Sequence, residues 1–119
     1  MALDIKKRTQ NGVTVFDLKG RVIFGEECVQ LRDQVKAAIT AGEKNIVLNL
    51  AEVEYMDSGG IGTLVGLFTS SRSSGGDIRL AAANEKVAHV LDITRLTTVI
   101  SLFPDVARAI KPGPQKASA

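Results

Sequence analysis

The sequence predicts an α/β fold. It has one mixed, mostly parallel β-sheet, opened by an N-terminal hairpin, with about four helices packed on it. Three observations carry this. Asn11-Gly12 separates two strand-like runs, the second of them, Val13 to Leu18, β-branched and partly alternating. Short apolar runs then alternate with segments whose apolar residues recur at helical spacing. A Ser/Gly-rich turn, Asp57-Ser58-Gly59-Gly60, joins one such run to one such helix. Alternating strands and helices imply right-handed parallel crossovers, with helices on one or both faces of the sheet.

Leu3 to Arg8 and Val13 to Leu18 flank Asn11-Gly12, a dipeptide whose residues tolerate the positive φ of a type I′ hairpin turn. Val13, Val15 and Asp17 fall on one face of the second strand, Phe16 and Leu18 on the other. Gly20 is expected to end it, and Arg21 to Gly25 to connect to a helix while packing on the sheet end. Cys28, Leu31, Val35, Ala38 and Ile39 share one helical face. Glu26 and Glu27 fall in the first turn, where the dipole favours anions, and Gly42 is the expected stop. Ile46 to Leu50 reads as a buried central strand. Ile61, Leu64, Val65, Leu67 and Phe68 are expected to point inward from the next helix, broken by Ser70 to Gly76. A short strand over Asp77 to Ala82 follows. Asn84 caps a third helix with Val87, Val90 and Leu91 as its stripe. Val99 to Phe103 reads as a last strand, and Asp105 caps a short helix bearing Val106, Ala107 and Ile110. Residues 1–111 form the expected domain. Residues 112–119, rich in Pro, Gly, Lys and Ser, read as a disordered tail.

Composition narrows the function. The chain has 119 residues, a formal charge of +2, 45% apolar residues and 4% aromatics. So small a charge, with basic residues spread along the chain, argues against direct nucleic-acid binding. The cluster Lys6-Lys7-Arg8 has no stacking aromatics beside it and reads as a solvated strand edge. A single Cys excludes an internal disulfide, and one His with no second His nearby argues against a metal site. Cys28 reads as a small buried hydrophobe and His89 as an exposed helix residue. No apolar run suits a membrane span and no apolar signal core opens the chain, so a cytoplasmic location is expected. Nothing asks for a cofactor.

The stretch Tyr55-Met56-Asp57-Ser58-Gly59-Gly60-Ile61-Gly62 is the candidate site. Ser58 falls where a helix should begin, and Ser is a favoured N-cap. It is also where a phosphoryl group on the hydroxyl would meet a helix N-terminus, a natural anion site. The phosphate would add roughly −1.5 to −2 charges beside Asp57. Gly62 and Gly66, at i and i+4, suggest close approach by a neighbour, either the sheet or a partner; Thr63 lies on the same side.

Asp57-Ser58, a small residue, Gly60, the aliphatic Ile61 and Gly62 together resemble the phosphoacceptor segment of STAS domains, specifically bacterial anti-sigma factor antagonists. Val13 to Gly20 with Arg21-Val22, Lys44 to Leu50, and Lys86 to Ile110 also resemble that family. The resemblance spans about residues 3–110. It implies a single STAS-like domain whose unmodified form binds an anti-sigma factor that is also a serine kinase, freeing the sigma factor. Phosphorylation of Ser58 then weakens the complex, and a serine phosphatase restores it. The implied partner surface comprises Asp57, Ser58, Gly59, Gly60, Gly62, Thr63 and Gly66, on a monomer or weak homodimer. Two positions depart from the family pattern: Ile23, with Phe24 beside it, where an acidic residue is common, and Gly59, where a second Ser is frequent.

Two other functions compete. In one, the chain is a scaffold or accessory subunit of a signalling assembly or a membrane transport ATPase, with Ser58 only a helix cap and the Gly62–Gly66 face docking. In the other, Ser58 is a hydrolase nucleophile. The flanking Gly-x-Ser-x-Gly elbow is missing and no base is evident, so a non-enzymatic role is expected.

Overall fold

The computed structural model describes residues 3–111, and the expected tail at 112–119 lies outside them. In chain order the elements are β1 (Asp4–Gln10), β2 (Val13–Val22), α1 (Glu26–Thr40), β3 (Asn45–Met56), α2 (Ser58–Ser73), β4 (Asp77–Ala81), α3 (Glu85–Ile93), β5 (Leu102–Phe103) and α4 (Val106–Ile110). A 3-10 turn, Leu96–Thr98, precedes β5. The mixed α/β sheet is as expected, in the order β1-β2-β3-β4-β5. The β1–β2 pair is antiparallel and the other three pairs are parallel. Asn11 at φ 52° and Gly12 at φ 78° form the hairpin turn.

The strand order determines the layers. Each crossover steps to the next strand in the same direction, so right-handed connections put their helices on one face. Phe16 and Leu18 of β2, Ile46, Leu48 and Leu50 of β3, and Ile78 and Leu80 of β4 point to that face. They pack with Leu31 and Val35 of α1, Leu64 and Leu67 of α2, and Val87 and Leu91 of α3. Alternation along the strands sends Val13, Val15, Val47 and Ala81 to the other face, where Ala109 and Ile110 of α4 cover them. Each large aliphatic side chain in the main layer, wholly removed from water, contributes about 1.5–3 kcal/mol.

Beyond that cover the second face is polar. Asp17 accepts from Arg8 Nε at 2.7 Å and from Asn49 Nδ2 at 2.8 Å. The Arg8 hydrogen bond, against partial desolvation and with help from Asn49, holds the Asp17 carboxyl below its ordinary value. On the opposite side of the sheet, the helix-covered face that Thr14 shares with Phe16, Glu43 after α1 accepts from the Thr14 hydroxyl and pairs with Lys7 at 2.9 Å. These contacts, the Thr14 bond first, lower its carboxyl too. Two of the three residues of the basic cluster are thus held in ion pairs along the edge strand.

Several boundaries differ from expectation. β2 does not end at Gly20; its pairing with β3 shifts register there and continues to Val22. β3 runs to Met56, placing Tyr55 and Met56 in the strand. α2 runs on to Ser73, through the Ser/Gly stretch expected to break it. Val65 is 40% exposed, because only Gly60, Leu64, Leu67 and Ser71 face the sheet squarely. The last strand shrinks to Leu102–Phe103, since Val99 and Ile100 donate to Leu96's carbonyl and finish the 3-10 turn. Ala107 is exposed, and Ala109 and Ile110 supply the buried face of α4.

Candidate functional site

The end of β3 delivers the site. Asp57 has extended backbone (φ −104°, ψ −172°), and its Oδ1 accepts from the Gly60 N–H at 3.0 Å. Asp57 is therefore the N-cap, a role expected of Ser58. Ser58 is the first helical residue and is exposed. The cap moves by one residue because Asp57 has a second task. The Phe24 N–H donates to both of its carboxylate oxygens, at 3.1 Å each. The Asp57 N–H in turn donates to the Val22 carbonyl at 3.3 Å. One residue thus fastens the first turn of α2 to the loop leaving β2.

That fastening explains both glycines. A Cβ on Gly59 would lie 2.7 Å from Phe24 Cβ and 2.8 Å from its Cα. A Cβ on Gly60 would press on the Val22 carbonyl oxygen and lie 2.7 Å from Met56 Cγ. Gly59, a departure from the family pattern, is required by the approach of Phe24. Phe24 does not pack on the sheet end as expected. It is 83% exposed, held beside Ser58 by its backbone. Gly25 follows at φ 115°, a left-handed-side conformation suited to glycine, and starts α1.

Gly62 and Gly66 face open space: a Cβ on either would meet nothing within 4 Å. Among the described residues neither the sheet nor another helix fills that space. A groove of about 560 Å³ runs there between α1 and α2. Phe24, Cys28, Val29 and Leu67 give it apolar lining, and Arg32 and Lys36 stand on its α1 side. Thr63 also lines it and donates its hydroxyl to the Gly59 carbonyl at 2.9 Å. Cys28 is buried, as expected, at the groove's floor. Of the expected partner residues, all but Asp57 and Gly60 are accordingly on the exposed turn or the groove; Asp57 works inward and Gly60 is buried. Phe24 and the groove were missed. The i, i+4 glycines opposite the Cys28-Val29 stretch were the available signal.

His89 is exposed, and nothing brings it to Ser58. Among the described residues no helix is long and apolar enough to cross a membrane.

This turn, set on this sheet, defines the class: the chain belongs to the STAS domain family, whose model matches residues 4–109. A Thermotoga maritima protein, provisionally named an anti-sigma factor antagonist, is 34% identical over 73 residues, 61% of this chain and 65% of that protein. The chain therefore matches just under two thirds of that relative's length. The anti-sigma-B factor antagonist of Listeria monocytogenes is 29% identical over 106 residues, covering 86% of this chain and 88% of the relative. Among solved structures, a Thermotoga maritima protein provisionally named an anti-sigma factor antagonist superposes with a TM-score of 0.84 at 26% identity. It covers 91% of this chain and 92% of its own.

Proposed function

We infer that the protein is a regulatory binding protein, an anti-sigma factor antagonist switched at Ser58. Its unmodified form binds an anti-sigma factor that is also a serine kinase and so frees the sigma factor. Phosphorylation of Ser58 weakens that complex, and a serine phosphatase reverses it. The observation that carries this reading is that Asp57, not Ser58, caps α2, which leaves an exposed serine at the helix start. The relatives named anti-sigma factor antagonists support the partner class.

The chemistry of the turn suits a switch. Phe24, clasped to Asp57 and packed against Gly59 on either side of Ser58, is exposed, so an interface here would remove apolar surface from water. A phosphoserine would bring roughly −1.5 to −2 charges next to the Asp57 carboxylate and would have to be desolvated in the contact. A penalty of about 1.4 kcal/mol is already tenfold in affinity, so no refolding is needed. The scaffold reading, which made Ser58 only a cap, loses that premise.

The test is intact mass after incubation with ATP and extract of the native cells, beside Ser58→Ala. One phosphoryl group on the native protein alone is expected. The recovered kinase should bind Ser58→Ala and release Ser58→Asp. Equal binding of the two variants would overturn the reading.

A further inference from the structure

We propose that the groove between α1 and α2 is a binding site for a single-chain amphiphile with an anionic head, of the fatty-carboxylate type. α1 and α2 are crossovers of neighbouring parallel strand pairs on one face of the sheet, so they run side by side in the same direction. The groove starts where Phe24 and Gly25 meet Gly59 and ends where Lys36 stands across from Ser70. Eleven residues on each helix separate those ends (36 − 25 and 70 − 59), which at 1.5 Å per residue is roughly 16 Å. That is close to the length of an extended dodecyl chain. The volume, about 560 Å³, lies within the range of roughly 300–1,000 Å³ typical of small-ligand pockets.

The lining is graded along that length. Phe24, Cys28 and Val29 on one side and Gly59, Gly62 and Gly66 on the other make an open groove without charged side chains over this part of its length. The two glycines in α2 leave its wall without side chains where an alkyl chain would lie. The Thr63 hydroxyl is turned back to Gly59's carbonyl and asks nothing of an occupant. The charged lining residues, Arg32 and Lys36, lie one helical turn apart on α1 towards the far end, and no carboxylate lines the groove among the described residues. Arg32 is only loosely paired, with Asp33 at 4.0 Å on the exposed side. An apolar track ending at two cations selects an alkyl chain with an anionic head over a neutral or cationic one. This assignment rests on the groove alone and holds whatever the state of Ser58.

The experiment is a calorimetric titration of the full chain with dodecanoate and with dodecyltrimethylammonium, each below its micelle-forming concentration. Amide shifts at Gly62 and Gly66 locate the binding. Saturable one-to-one binding of dodecanoate is expected, with the cationic amphiphile at least about tenfold weaker. Gly66→Leu, whose side chain has room to lie in the groove, should abolish binding while circular dichroism and Tm are retained. Arg32→Glu with Lys36→Glu should weaken dodecanoate about tenfold and leave the uncharged part of the groove intact. Absence of saturable binding, equal affinity for both amphiphiles, or undiminished binding by a folded Gly66→Leu protein would each overturn the assignment.

Discussion

The backbone N–H of Phe24 donates to both carboxylate oxygens of Asp57, 33 positions away in sequence, while the same carboxylate caps α2 through Gly60. An aspartate needed only as a cap could be replaced by serine at little cost. This one also holds the loop that carries the most exposed large apolar side chain of the domain.

Asp57→Ala should therefore cost more than loss of a cap. The cap alone is worth about 1 kcal/mol, and leaving the Phe24 N–H without its charged acceptor adds about 1–2 kcal/mol. A total near 2–3 kcal/mol in urea unfolding is expected. Asp57→Asn should fall between, since one amide oxygen can still cap Gly60 but cannot serve Phe24 as a carboxylate does. A cost for Asp57→Ala no larger than a cap's would show that the loop does not depend on the clasp.

Ser58→Ala should leave stability within about 0.5 kcal/mol of the native protein, as befits an exposed residue with no capping role. A loss of about 1 kcal/mol or more would return the cap to Ser58. This measurement is separate from partner binding, and it establishes that binding defects in Ser58 variants are not folding defects.

Much of the fold was legible because its signals are local. Asn11-Gly12 needs positive φ at both positions, and the structure has it. Asn84 and Asp105 cap their helices, accepting from Val87 and Arg108. The α1 stripe is buried as read. What escaped was decided between distant segments. Asp57 and Ser58 are equally good caps by type, and only the Phe24 amide favours the former. Ile23-Phe24 looks like packing material, yet the Asp57 clasp turns Phe24 outward. Val99 and Ile100 have the composition of a strand, but the Leu96 carbonyl takes both of their N–H groups. The groove needed two helices to be placed before its glycines had meaning.

The glycines of α2 should divide sharply on substitution by alanine. At Gly60 the new methyl meets the Val22 carbonyl and Met56, with backbone on one side, and a cost of about 3 kcal/mol is expected. At Gly62 and at Gly66 the methyl enters open space, and relief of the helix-propensity penalty should stabilise by up to about 1 kcal/mol each. Chemical denaturation of the three single variants checks this. Destabilisation by Gly62→Ala would mean that something in this chain already occupies the groove.

Acid should act through Asp17 and Glu43. Both carboxyls are held below their ordinary values in the folded state, Asp17 chiefly by its hydrogen bond from Arg8 and Glu43 chiefly by that from Thr14. A folded value lower than the unfolded one means that the unfolded chain takes up protons first. Their contribution is therefore complete above the unfolded carboxylate range, about pH 4, and is lost as pH falls through the folded values. Both groups keep about a third of their side-chain surface in water, so each effect is modest. Asp17→Asn should lower Tm at neutral pH and flatten the fall of Tm between about pH 5 and pH 2, because the replaced group no longer takes up a proton on unfolding. Arg8→Gln should do the same in part, leaving the Asn49 bond to Asp17. An acid limb of Tm unchanged by Asp17→Asn would assign the acid sensitivity to other carboxylates.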